Sequence, residues 1–198
     1  MTSLAWALLA LTLVIAALDW LAKGIGSKPM EYVFKPLTMV ALIGVALALD
    51  PTDAGARAAF VVALVFGMAG DVFLMLPDDK RWFVFGLASF LVGHLAYVVG
   101  LVLLGLTGVA LVAGVVVVVL AMAVIGRRIV AAVRAGDEPA LAVPVSVYMG
   151  VISVMVACAF GTTLPLAIAG SLLFFASDAC IGWSRFVKPY AWMELFII

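Results

Sequence analysis

GSLLFFASDACIGWSR, residues 170–185, reads as a helix of lipid-soluble side chains with one carboxylate, Asp178, set inside it. A counterpart lies upstream: FGMAGDVFLML, residues 66–76, carries Asp71 behind the small pair Ala69 and Gly70, as Asp178 follows Ala176 and Ser177. A carboxylate at the centre of a membrane helix costs ~2.5–3.5 kcal/mol even on the lenient insertion scale, so acids in that position have partners or chemistry. Both aspartates stand a little over one helical turn from a basic loop, and two acids at similar depth are candidates for a single pocket.

The rest of the chain supports a membrane setting for these helices. Of 198 residues, 68% are hydrophobic and 11% charged, with a mean hydropathy of +1.35. A soluble domain is roughly half apolar and a quarter charged, so the composition points to a multi-pass membrane protein. Eleven basic residues balance eleven acidic ones, so net charge predicts neither a nucleic-acid partner nor a strongly anionic one; the expected partners are membrane lipids, on the hydrophobic composition. Cys158 and Cys180 fall within apolar spans at no metal-binding or disulfide spacing and read as small packing residues. The chain has no nucleotide-binding glycine loop, HExxH, GxSxG or cysteine–histidine cluster, so neither a cofactor nor a metal is expected. Met68-Ala69-Gly70 before Asp71 departs from the GxGD pattern of intramembrane aspartyl proteases.

In chain order, a first span runs from about Ser3 to Ala22, and Asp19 and Trp20 near its end mark the membrane interface. The lysines follow this span rather than precede it, the wrong polarity for a cleaved signal peptide. Lys23 to Lys35 reads as a polar connector, after which Pro36 opens a short second span to Leu49 that gains length from the preceding segment or crosses thinned membrane. A third span covers Ala58 to Leu76. The polar stop PDDKR (77–81) leads into 43 nearly uncharged residues, Phe83 to Ile125, enough for two crossings joined by a turn at Gly105 to Gly108. The first of these carries a stripe of Gly86, Ser89, Gly93, Ala96 and Gly100, a seam for close helix contact in lipid, with His94 beside it. Arg127 to Pro139 reads as a charged connector. A sixth span follows from about Ala142 to Phe160, with a small face of Ser146, Gly150, Ser153 and Ala157, and the seventh holds Asp178. Only PYAWMELFII remains for an eighth, too short to cross; the expectation is that this helix is truncated and that the natural protein continues.

The expected fold is therefore an all-α polytopic bundle of about eight helices, one integral membrane domain over residues 1–198. The odd-numbered connectors hold Lys23, Lys28, Lys35, Lys80, Arg81, Arg127, Arg128, Arg134, Arg185 and Lys188, whereas the even-numbered ones hold only Arg57. By the positive-inside rule the N-terminus is outside, and Asp71, Asp178, Lys35 and Tyr148 fall in the cytoplasmic halves of their helices.

Asp71 and Asp178 are the candidate catalytic residues. In a low-dielectric pocket, ionising one carboxylate makes its neighbour harder to ionise, so a pair can hold one proton near neutrality and supply both an acid and a base. The competing reading is two buried acids hydrogen-bonded to Ser177, His94 or Tyr148 and fixing helix register. Lys35 is a candidate for a lipid phosphate or a snorkelling lysine. His94 is a proton relay or an interhelical hydrogen-bonder, Tyr148 a pocket or core tyrosine, and Arg185 a phosphate ligand or a topology signal.

Lys35-Pro36-Leu37-Thr38, Gly70-Asp71, Phe85-Gly86 through Gly93-His94 to Tyr97, Tyr148 with Met155, and Ser177-Asp178, taken in this order and spacing, resemble the YhhN-like lysoplasmalogenase family over about Lys35 to Arg185. The resemblance implies an eight-helix membrane hydrolase that takes a lysophospholipid and cleaves the vinyl-ether bond of lysoplasmalogens, with Asp71 and Asp178 as its catalytic acids. Lys35, His94, Tyr148, Ser177 and Arg185 would line the substrate site. The alternative is a small proton- or cation-coupled transporter or a lipid-binding membrane protein; clustering of both acids on one side of the membrane argues against a transport path. The alanine- and valine-rich composition favours a bacterial inner membrane over an endoplasmic one.

Overall fold

The computed structural model describes residues 2–77, 80–190 and 192–193, and every regular element among them is helical. Among the described residues, seven helices are long and apolar enough to cross a membrane. The eighth span expected from Pro189 falls largely outside the described residues, as do Asp78 and Asp79 of the PDDKR loop. The chain divides into two compact units, one ending at Leu103 and the other beginning at Leu104.

The first unit holds four helices, α1 (Ser3–Gly24), α2 (Lys28–Ala48), α3 (Ala54–Met75) and α4 (Lys80–Leu103). Thr2 caps α1 by accepting from the Ala5 N–H and also donates to the Ala48 carbonyl, tying the start of α1 to the end of α2. Asp53 caps α3 in the same way through the Ala56 N–H. The buried residues of α1 are Ala5, Thr12, Ile15, Asp19 and Ala22, a stripe at steps of seven, three, four and three that follows one helical face. Between α3 and α4 the glycine seam operates as expected. A Cβ added at Gly93 would meet the Ala63 carbonyl oxygen at 3.1 Å, one at Gly86 would meet Leu74 at 2.8 Å, and one at Gly100 would run into the Phe60 ring. Absent side chains let the two backbones approach, which is how helices gain contact in lipid without a hydrophobic drive.

Two boundaries differ from expectation. Residues 28–35 are the first turns of α2 rather than a connector, so Pro36 stands inside the helix and Pro29 takes the start. Lys28 and Lys23 each lie 3.2 Å from Glu31, which makes the charged segment helix-compatible by pairing its acid. Interior proline is tolerated in membrane helices because neighbouring groups can satisfy the freed backbone.

The second difference is in the second unit, where α5 (Gly108–Ala121) continues through a π-helical turn, Met122–Gly126, into α6 (Arg127–Ala135). The expected charged connector is thus mostly helix. Ile129 and Val133, one turn apart, are buried while Arg127, Arg128 and Arg134 face outward, an amphipathic pattern that hydropathy alone reads as polar loop. A short 3-10 turn at Pro139–Leu141 precedes α7 (Ala142–Gly161), and α8 (Pro165–Phe186) completes the unit. Gly114 of α5 sits directly on α7, where an added Cβ would meet the Ala157 Cα at 2.9 Å. The small face expected on α7 is only partly an interface. Gly150 is exposed, and Ser146 and Ser153 donate to carbonyls of their own helix, whereas Tyr148, Ile152 and Met155 are buried.

Candidate functional site

In the first unit the site is built by the antiparallel packing of α2 against α3. The Tyr32 hydroxyl donates to the Met75 carbonyl at 2.9 Å, satisfying an acceptor in the last turn of α3. One turn further in, the Lys35 ammonium lies 3.1 Å from the Asp71 carboxylate, with side chains 9% and 14% exposed. A charge pair this deep is held by geometry, since each group would cost several kcal/mol alone. Around it lie Lys23, Glu31 and Asp19, all within Coulombic reach of one another or of the pair.

Asp19 was not legible as part of this cluster. Expected at the interface beside Trp20, it is 2% exposed while Trp20 is 60% exposed, so the two neighbours point opposite ways. The signal was its place at helical spacing on the stripe of Ala5, Thr12, Ile15 and Ala22, which also carries the other buried polar residue of this helix, Thr12.

His94 is 1% exposed on α4, and its Nδ1–H donates to the Phe90 carbonyl one turn back. That bond is local to the helix and assigns Nδ1 as the protonated nitrogen, because a carbonyl only accepts.

The second unit holds the other acid. Tyr148 of α7, buried, donates its hydroxyl to Oδ2 of Asp178 on α8. Ser177 adjoins Asp178 in sequence and is half-buried. Arg185, near the end of α8, reaches Glu138 at 3.7 Å with both side chains partly exposed. The structure thus brings Lys35 to Asp71 in one unit and Tyr148 to Asp178 in the other. Among the described residues, no group of three or more His, Cys, Asp or Glu side chains is placed to hold a metal ion.

Seven membrane-length helices, with a carboxylate secured by a specific partner inside two of them, define a polytopic membrane protein with intramembrane polar sites. The chain belongs to the YhhN family, which residues 30–198 match. Proteins named lysoplasmalogenase from Mycobacterium bovis and Mycobacterium tuberculosis are each 35% identical to it over 131 residues, 64% of this chain and 49% of theirs. The matched part is about half the length of these curated relatives. No solved structure matches the chain.

Proposed function

We infer that this chain is a membrane-embedded hydrolase that cleaves the vinyl-ether bond of lysoplasmalogens, releasing a fatty aldehyde and a glycerophospho-alcohol such as glycerophosphoethanolamine or glycerophosphocholine. The observation that carries the reading is the differing environment of the two acids, Asp71 against an ammonium and Asp178 against a phenol. The name of the mycobacterial relatives supports the substrate class.

A vinyl ether hydrolyses by protonation at carbon, which gives an oxocarbenium ion that water captures; the resulting hemiacetal collapses to aldehyde and alcohol. Asp178 is the proton donor in this scheme, and the Tyr148 hydroxyl stabilises the carboxylate left behind. Asp71, kept ionised by Lys35, opposes the developing positive charge and takes the proton from the attacking water. The division of labour is that of the two carboxyl groups of a glycosidase. The hemiacetal then loses its hydroxyl proton as the glyceryl oxygen gains one, and Asp71 gives up to water the proton it took while Asp178 regains one from water, so the net reaction consumes one water. Arg185, at the polar end of α8, would meet the phosphate, and Ser177 and His94 would line the site. The positive-inside bias supports an N-terminus outside and both acids in the cytoplasmic half of the membrane, and the alanine- and valine-rich composition favours a bacterial inner one.

The test is aldehyde release from lysoplasmalogen by the purified protein in detergent. Wild-type protein turns over, and Asp71→Asn and Asp178→Asn each abolish turnover while still inserting. Retained turnover in both variants removes the mechanism, and no aldehyde from wild type removes the hydrolase itself.

A further inference from the structure

The helix made of α5, the π turn and α6 runs without a break from Gly108 to Ala135, 28 residues. At the helical rise it is about 42 Å long, whereas about 20 residues are enough to cross the hydrocarbon core. Gly108 to Ile125 carries no charge and fills that core, so α6 emerges at headgroup depth. There it has two faces. Ile129 and Val133 are buried, and a Cβ added to Gly182 of α8, one turn beyond Asp178, would meet Ile129 Cδ1 at 3.3 Å. The opposite face is Arg127, Arg128, Ala131, Arg134 and Ala135, all exposed and within an arc of about 120° at helical spacing. Among the described residues, no ion pair or side-chain hydrogen bond engages any of the three arginines. Other cations of the chain are taken: Lys28 lies against Glu31, and Arg185 against Glu138. Of the two acids that follow α6, Glu138 is thus occupied, and exposed Asp137 stands in sequence after three guanidinium groups.

We propose that α6 is a binding surface for anionic phospholipids of the surrounding bilayer, with Arg127, Arg128 and Arg134 holding their headgroup phosphates. A guanidinium meets phosphate oxygens with paired N–H donors, and Ala131 and Ala135 leave room between the arginines for a headgroup to approach. Zwitterionic lipids present the same phosphate beside a cation, so the surface selects by net charge. Each basic side chain at the membrane surface adds roughly 5-fold to the affinity for anionic lipid. A topology signal needs only the charges during insertion; a binding surface goes on discriminating between lipids in the folded protein. The contact of Ile129 with Gly182 seats the helix on α8 and holds the arginines outward. The surface is independent of the hydrolase reading and uses none of the residues given a role in it.

The experiment reads which lipid gathers at α6. In a background lacking Cys158 and Cys180, Ala131→Cys carries a fluorophore at the centre of the arginine face, and the purified protein is placed in nanodiscs of phosphatidylcholine. Spin-labelled phosphatidylglycerol or spin-labelled phosphatidylcholine is then titrated in as a quencher. The anionic quencher reaches half-quenching at a mole fraction roughly 10-fold lower than the zwitterionic one. Replacing all three arginines by glutamine brings the two curves together, and replacing them by lysine keeps most of the gap. Coincident curves without the arginine substitutions, or a gap that survives the glutamine variant, overturn the proposal. Raising the salt concentration gives a second reading on the unsubstituted arginine face: the gap narrows by screening, and a gap indifferent to salt overturns the proposal as well. No readout involves turnover, so aldehyde assays test the hydrolase reading separately.

Discussion

The Lys35 ammonium stands 3.1 Å from the Asp71 carboxylate, one turn inward from the Tyr32 to Met75 contact, so the ion pair is positioned by the docking of α2 on α3. Lys35→Met removes the cation and leaves Asp71 to take up a proton rather than stay charged in an apolar setting. The expected outcome is turnover as low as in Asp71→Asn. Stability falls by about 1–3 kcal/mol for the lost partner, measured as a lower midpoint of thermal unfolding in detergent.

Tyr148→Phe keeps the buried ring and deletes only the hydroxyl that donates to Asp178. A hydrogen bond to a charged group is worth about 1.5–3 kcal/mol. If it is made chiefly to the carboxylate formed as Asp178 gives up its proton, aldehyde release falls roughly 10- to 100-fold. Turnover equal to wild type, with Tyr148→Phe folded, would separate this tyrosine from the chemistry.

Gly114 and Gly150 are both small positions in membrane helices, yet their substitutions should differ. A Cβ at Gly114 would come within 2.7 Å of the Phe160 Cβ and 3.0 Å of the Ala157 carbonyl oxygen, so Gly114→Ala forces α5 off α7 at a cost of about 1–3 kcal/mol. Gly150 has nothing within 4 Å of an added Cβ. Gly150→Ala should be neutral or stabilising by up to ~1 kcal/mol through helix propensity. Unfolding midpoints of the two variants, side by side, decide the matter.

The proposed orientation is testable without any enzymology. In a background lacking Cys158 and Cys180, Ile25→Cys in the turn after α1 should react with a membrane-impermeant thiol reagent only from the cytoplasmic side. Thr52→Cys in the turn before α3 should react only from outside. Both turn positions are exposed, so labelling from the reverse sides would invert the topology.

Much of this architecture could be read from the chain. Hydropathy marks apolar spans because a bilayer demands some 20 residues of them, and seven helices stand where those spans lie. The glycine stripe of α4 was visible for a similar reason, as Gly86, Gly93 and Gly100 repeat at the helical period. Failures came where charge and helix coincide. Residues 28–35 and 127–135 read as connectors because they carry lysines and arginines, although the shortness of the second span already pointed to added length from the former; ion pairs and amphipathic faces keep both helical.

Unaided, the sequence determined the class of protein, the seven apolar spans that coincide with described helices, and the two carboxylates worth asking about. Each follows from composition or from the cost of a charge in hydrocarbon, both local properties. Only the tertiary structure decided that Lys35 belongs to Asp71, that Tyr148 belongs to Asp178, and that Asp19 turns inward while Trp20 turns out. Partner choice depends on the rotation of each helix about its axis, set by which small residues let backbones meet, and a span's hydropathy is the same at every rotation.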